Sequence, residues 1–393
     1  MASSAPPRLG RRACLAWFAL ILGVHAAWQG LICRSLAGGN LTALFLIGDR
    51  NREPEDLARH DFRYPHSGGY DGMSYRIIAH DPLGRKGYLS YLDDPRYRYR
   101  RILVPALAAI AGGGEPRATD WAYVALVDVL LAAGGVCFLL LAEPYWPPPA
   151  AAALYCLLPP VIASVDRMVL DGPVLAGFLA LLLFFRRRRP AAMAAVLALL
   201  PLVREAALSF TAGAAALCLL ERRVRLAAAA ALTSLPALAW FAYVELRMPP
   251  SEILSHVLAV PILPYVHRLF TVQPYPLPAE QAILLQAIDC ISCACLLFAF
   301  AWSARALWRA WRRREWITEA VLVGPSALLA CSTGTKYILY SPYDFMRVNG
   351  YLIAWTALCL LPAHRRAAAL LVAASSLGLL VYRAPVVLRL AGW

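Results

Sequence analysis

The chain reads as an all-α, polytopic integral membrane protein of about eleven transmembrane helices, one continuous domain from 1 to 393. Three observations predict that class. Apolar residues make up 60% of the sequence and charged residues only 16%, with a mean hydropathy of +0.57, which excludes an ordinary soluble domain. Apolar runs long enough to cross a hydrocarbon core recur along the whole chain. Arginine clusters fall at alternate ends of those runs, as the positive-inside rule requires.

The first run, 13–33, follows Arg8, Arg11 and Arg12 much as a secretory leader follows its basic region. It is longer than a leader's apolar segment, and no small-x-small cleavage site ends it, so it is taken as the first helix. Further spans are predicted at 121–142, 226–246, 281–303, 317–333, 348–362 and 367–383. Shorter apolar pieces at 150–165, 170–185, 190–203 and 206–220 are bounded by proline or charge. They read as two tight helical pairs whose tips reach one face. Residues 34–120 form the only large extramembrane insertion.

Orientation follows from the short loops. Arg186–Arg189, Arg222, Arg223, Arg225, Arg305 through Arg314, and Arg365–Arg366 join the N-terminal arginines on the cytoplasmic side. Segments 34–120, 166–171, 204–205, 247–280 and 334–347 then lie outside. The net charge of +14 divides between cytoplasmic anchoring and an outer face suited to an anionic lipid headgroup. Richness in Ala, Arg and Leu points to a high-GC bacterium, so the expected location is the inner membrane with the outer face periplasmic.

Ten cysteines add little: Cys14, Cys33, Cys290, Cys293 and Cys295 sit in apolar helices, where cysteine is a small packing residue. His60, His66 and His80 share the outer loop without a ligand spacing. No cofactor is expected, and a divalent metal has no support. Asn40-Leu41-Thr42 matches the glycosylation sequon, a short motif frequent by chance. No nucleic-acid partner is expected; the bilayer is the predicted surrounding.

The polar exceptions gather on the outer side. Tyr70-Asp71-Gly72 lies in the first outer loop, where an acidic residue beside an apolar body suits a catalytic base; the bland reading is an Asp-Gly turn. Asp166, Arg167 and Asp171 mark one helix-pair tip, and Arg204-Glu205 the next. Glu245 and Arg247 close a further helix, and Lys336, Tyr337, Tyr340, Tyr343, Asp344 and Arg347 precede a late one. Ionisable groups near a membrane are costly unless they face water, a partner or a site. Their convergence predicts a cavity for something polar and anionic, against the simpler reading of Asp166-Arg167 and Arg204-Glu205 as interfacial ion pairs. The run Arg96-Tyr97-Arg98-Tyr99-Arg100-Arg101 predicts an amphipathic helix pinned at headgroup depth, with Arg100 and Arg101 within reach of a lipid phosphate.

This order of features resembles the GT-C glycosyltransferases, polytopic enzymes that take a sugar from a polyprenyl-phosphate carrier, and within them the GPI-mannosyltransferase-like branch and its bacterial relatives. The resemblance is carried by Tyr70-Asp71-Gly72-Met73-Ser74-Tyr75-Arg76-Ile77-Ile78-Ala79, by Leu157-Leu158-Pro159-Pro160 leading to Asp166 and Asp171, by Leu202-Val203-Arg204-Glu205-Ala206, and by Arg347 entering a late helix. The chain departs from the pattern in two places. The family's aromatic Phe-Pro-Leu-Tyr-Pro element is reduced to Arg101-Ile102-Leu103-Val104-Pro105, and no acidic doublet stands at Asp71.

The resemblance implies inverting transfer of a hexose, with mannose among the sugars, from a polyprenyl-phosphate-linked donor to a glycan, lipid or protein acceptor. It implies Asp71 as the base and Arg204 and Arg347 as phosphate ligands, with Arg100 and Arg101 as further candidates. Asp166 and Asp171 shape the sugar or acceptor pocket, with Tyr70 and Glu205 beside them. No metal is demanded, since arginine can hold a departing lipid phosphate. Two other classes remain: a transporter or flippase, whose ionisable residues would line a mid-membrane path, and a non-catalytic subunit of an envelope assembly.

Overall fold

The computed structural model describes residues 9–251, 258–275, 278–334, 339–381, 383–384 and 386–387. Lys336 and Tyr337, expected on the outer face, lie outside the described residues. Among those residues the fold is all-helical; the only strand-like pairings are the isolated bridges Gly48–Tyr64 and Leu258–Thr333.

The chain opens with α1 (Arg11–Ala37) and then forms short helices in the first insertion: α2 (Glu55–Ala58), α3 (Asp71–His80), α4 (Pro95–Tyr99) and α5 (Leu103–Gly112). The bundle continues with α6 (Pro116–Ala142), α7 (Pro148–Cys156), α8 (Pro159–Arg167), α9 (Asp171–Arg186), α10 (Pro190–Val203) and α11 (Leu208–Leu220). It closes with α12 (Val224–Leu232), α13 (Leu235–Arg247), α14 (Leu263–Phe270), α15 (Ala279–Arg313), α16 (Glu319–Ser332), α17 (Pro342–Leu360) and α18 (Arg365–Val381). Proline opens many of these helices, where its missing N–H costs nothing and its fixed φ suits the first turn.

Three helices, α1, α6 and α15, are long and apolar enough to cross a membrane, and five spans result if each of two bent pairs counts as one. Length and composition thus give three to five candidate membrane spans, a coarser statement than the eleven apolar runs of the sequence. The piece expected as one helix at 150–165 is two, α7 and α8, bent by 61°. The cause is local. Pro159 supplies no N–H, and Leu158 before it takes extended backbone at ψ 132. The run expected at 226–246 is likewise bent by 43° between α12 and α13. There the Thr233 and Ser234 hydroxyls donate to the carbonyls of Ala230 and Ala231 at 2.6 Å, competing with the helical ladder.

The insertion 34–120 is not a loose loop. Its helix α3 packs against α5 and α6, and every residue from Gly72 to His80 is buried. Gly72 permits this seat, because a Cβ there would collide with the carbonyl oxygen of Arg167 at the end of α8. On the same helix, Arg76 donates to Asp120 at 2.8 Å and to Asp61 at 2.7 Å, with Glu53 at 3.5 Å. His80 Nε2 lies 2.9 Å from Asp120. The insertion is therefore bolted to the first turns of α6 by buried charge.

Glu53 is the weak point of that cluster. Burial, then repulsion from Asp61, raises its carboxyl to about 7 despite Arg76 and Arg63. The folded protein thus keeps a proton that an unfolded chain releases near pH 4.3. This stabilisation is complete below the unfolded value and is lost as pH rises through about 7. Glu53→Gln, which cannot ionise, is expected to gain about 1–3 kcal/mol on wild type between pH 5 and pH 8. Thermal unfolding of the detergent-purified chain at the two pH values measures this. Parallel pH dependence of the two proteins would reject the assignment.

Candidate functional site

Five of the elements end at one place. Asp71 is the first residue of α3, where the helix dipole favours a negative charge. Asp171 opens α9, Arg204 follows α10, Arg98 lies in α4, and Arg347 sits near the start of α17. Their side chains form an unbroken chain of ion pairs. Arg98 donates to one Asp71 oxygen at 2.7 Å, and Arg347 donates to the other at 2.6 Å. The second arm of Arg347 reaches Asp171 at 2.5 Å, and the other Asp171 oxygen pairs with Arg204. Beside this chain, Arg101 holds Glu205 through two bonds of 2.9 and 2.8 Å and donates to the Tyr75 hydroxyl at 2.5 Å.

These are not surface pairs. Side-chain exposure is 2% for Asp171, 8% for Arg347, 10% for Arg204, 11% for Arg98 and 16% for Asp71. Burial alone would favour a neutral Asp71, but Arg98, Arg347 and Arg101 together hold its carboxyl well below the usual carboxylate range. Asp71 is therefore ionised, and both its oxygens are engaged.

Two further carboxylates complete the cluster. Asp93 accepts from Arg98 Nε at 2.9 Å and from its Nη2 at 2.7 Å. Asp344 lies 3.8 Å from Arg347 and accepts from Ser341 at 2.6 Å and from the Tyr70 hydroxyl. Tyr70 also offers its ring face to Arg347 at 4.8 Å and to Arg167 at 4.4 Å. Four guanidiniums, of Arg98, Arg101, Arg204 and Arg347, thus meet five carboxylates, of Asp71, Asp93, Asp171, Asp344 and Glu205. The Asp71 end of the chain borders a cleft of about 440 Å³, walled by Asn51, Tyr70, Ser74, Asp93 and Arg98 among others. The Arg204 end borders a hollow of about 40 Å³ with Asp171, Arg347, Asn349 and Tyr351.

The structure brings together Asp71, Tyr70, Asp171, Arg204, Glu205, Arg347 and Arg101 of the residues singled out from the sequence. It separates two others. Asp166 pairs with Arg383 at 2.8 and 2.9 Å and accepts from the Trp28 indole at 2.7 Å. Arg100 pairs with Glu245, which Arg96 also holds at 2.7 Å. Neither of the sequence-adjacent pairs, Asp166-Arg167 or Arg204-Glu205, closes on itself, since each member finds its contact elsewhere. Sequence reasoning missed Asp93, and it named Asp344 on the outer face and Arg98 in the interfacial run without giving either a role in the site. Asp94-Pro95 was the available signal: it is a helix start, with Asp94 capping the Tyr97 N–H at 2.9 Å, and it places Arg98 one turn inside α4.

Chemically, the arrangement offers an ionised carboxylate at the wall of a cleft, with guanidiniums around it that suit phosphate oxygens. No group of three or more His, Cys, Asp or Glu converges as metal ligands would among the described residues. No family model, curated protein or solved structure matches the chain.

Proposed function

We propose that the protein is a membrane glycosyltransferase of the GT-C type, acting on the outer face of a bacterial inner membrane with about eleven spans, shorter helices included. It transfers a sugar from a polyprenyl-phosphate-linked donor to a hydroxyl of an envelope glycan, lipid or protein. The observation that carries this reading is Asp71, held through both oxygens by Arg98 and Arg347 beside a cleft. Such a carboxylate is suited to take a proton once a competing anion occupies the arginines.

In this reading the donor phosphate takes over hydrogen bonds of Arg347 and Arg204, which frees an oxygen of Asp71. The acceptor hydroxyl then gives its proton to that oxygen while its own oxygen bonds to the anomeric carbon. The bond from that carbon to the phosphate oxygen breaks, and polyprenyl phosphate leaves with the electron pair, its charge met by the guanidiniums. Asp171 keeps Arg204 and Arg347 aligned for that task, and Arg101 with Glu205 braces the same wall.

The test is donor turnover. The purified full chain in proteoliposomes, given radiolabelled polyprenyl-phosphate mannose, glucose or another hexose and an envelope extract as acceptor, is expected to release polyprenyl phosphate and label the extract. Binding of the donor lipid without turnover of any sugar would overturn the enzyme reading in favour of a flippase or an assembly subunit.

A further inference from the structure

A second polar cleft lies far from Asp71, at the other end of the long helix α15. Arg268 binds Asp289 of α15 at 2.7 Å and the carbonyl of Leu339, so early α15 stands beside the start of α17 and the ion-pair chain. From there Arg305 is about 24 Å further along α15, and Trp355 is about 12 Å beyond Arg347 along α17, at 1.5 Å per residue. Helix α15 has 35 residues, about 52 Å of rise against a hydrocarbon core of about 30 Å. Its last turns therefore extend past the apolar layer. Trp308 and Trp311, 49% and 63% exposed, mark that stretch as interfacial.

Arg305, Arg309 and Arg313 recur every four residues, which places them on one helix face. They line a cleft of about 400 Å³ whose far wall includes Trp355 and the start of α16. Of the carboxylates on that wall, Glu319 is committed to Arg186, 3.1 Å away at its second oxygen, leaving Glu315 beside three guanidiniums. None of the three has an ion-pair partner among the described residues. Trp355 is 2% exposed, and its indole Nε1 is buried with no acceptor among the described residues. An indole N–H can only donate, and leaving one unmet inside a protein is costly. Three guanidiniums and a residue with an unmet buried donor lining one cleft are complementary to a phosphate diester oxygen.

We propose that this cleft, at the C-terminal end of α15, binds the phosphate headgroup of an anionic membrane lipid at a place separate from the Asp71 site. Arg305, Arg309 and Arg313 neutralise the phosphate, and Trp355 supplies a directional hydrogen bond. The site is independent of any transfer chemistry at Asp71.

The full chain is purified from nanodiscs of phosphatidylglycerol and phosphatidylcholine in one-to-nine ratio, and retained lipid is counted by native mass spectrometry. Wild type is expected to retain phosphatidylglycerol selectively. The triple variant Arg305→Gln, Arg309→Gln, Arg313→Gln is expected to lose that selectivity by at least about tenfold, since a charge-assisted bond contributes more than a neutral one. Trp355→Phe keeps a ring and removes only the donor, and is expected to lose about three- to tenfold. The variant Arg222→Gln, Arg223→Gln, Arg225→Gln removes equal charge from another loop and is expected to retain wild-type selectivity. Equal loss in that control would overturn the proposal, as would wild-type retention in both cleft variants. Displacement of the lipid by millimolar inorganic phosphate would also overturn it, reassigning the cleft to a soluble anion. Single Arg309→Gln, checked for an unchanged unfolding temperature, decides the matter if the triple variant does not fold.

Discussion

Asp71→Asn is expected to lower sugar transfer by at least about a hundredfold, the lower range for loss of a general base, while the protein still folds and binds donor lipid. Asparagine keeps the shape of aspartate but cannot accept the acceptor's proton at useful pH. Folding survives for a reason specific to this site. Arg98 retains both bonds to Asp93, and Arg347 retains Asp171, so neither guanidinium is stranded. Wild-type activity should persist to low pH, because the arginines hold Asp71 ionised well below the usual carboxylate range; the acid limb is expected below about pH 4. Near-normal turnover in Asp71→Asn would reduce the residue to a structural ion pair. Asp166→Asn serves as the control, since that carboxylate lies with Arg383 and Trp28. Asp171→Asn does not. It would leave Arg204 without its only ion pair among the described residues, and breaking a buried pair of this kind costs about 3–5 kcal/mol.

Arg347→Lys is expected to raise the donor KM by at least about tenfold, the loss of one charge-assisted hydrogen bond or more, with a smaller change in kcat. The guanidinium reaches Asp71 with one arm and Asp171 with the other, across two helix starts, while its face lies 4.8 Å from the Tyr70 ring. A lysine ammonium is a point charge without that fork, so it can neutralise one carboxylate but cannot hold both in register. Arg204→Lys should follow with a lesser effect, because Arg204 serves Asp171 alone among the described carboxylates. Initial rates against donor concentration, together with unfolding temperatures, separate lost phosphate binding from lost fold. Unchanged donor dependence in both variants would return the two arginines to a purely structural role.

Much of this site is legible in the sequence because apolar runs leave few places for charge. Once the runs are drawn, Asp71, Asp171, Arg204 and Arg347 fall at or near helix ends. Direction at those ends is less legible. Asp166 and Asp171 are five residues apart, yet Met168 between them takes positive φ, 49°, and the reversal sends one carboxylate to Arg383 and the other to Arg347. The same holds for Arg98 in α4 and Arg100 at its C-cap, two residues apart and facing different partners. The break before Pro159 follows from proline itself, whereas the bend at Thr233 and Ser234 depends on which way two hydroxyls turn. Span lengths are illegible for a related reason. Composition reports an apolar stretch, but packing and capping decide where each helix stops.

The near balance of four guanidiniums and five carboxylates around Asp71 has a consequence for which anions the site admits. A dissolved phosphate or nucleotide approaching from water meets little net attraction and must evict a resident carboxylate to bind. On the proposed function a membrane-confined donor would face the same exchange at a much higher effective concentration, because its tail would hold it beside the cleft. On the proposed function the network would in this sense be a sieve for mobility rather than for charge. It would discriminate by how the ligand is delivered, and ionic strength should alter occupancy little, since the pairs of Asp71 and Asp171 are buried and poorly screened.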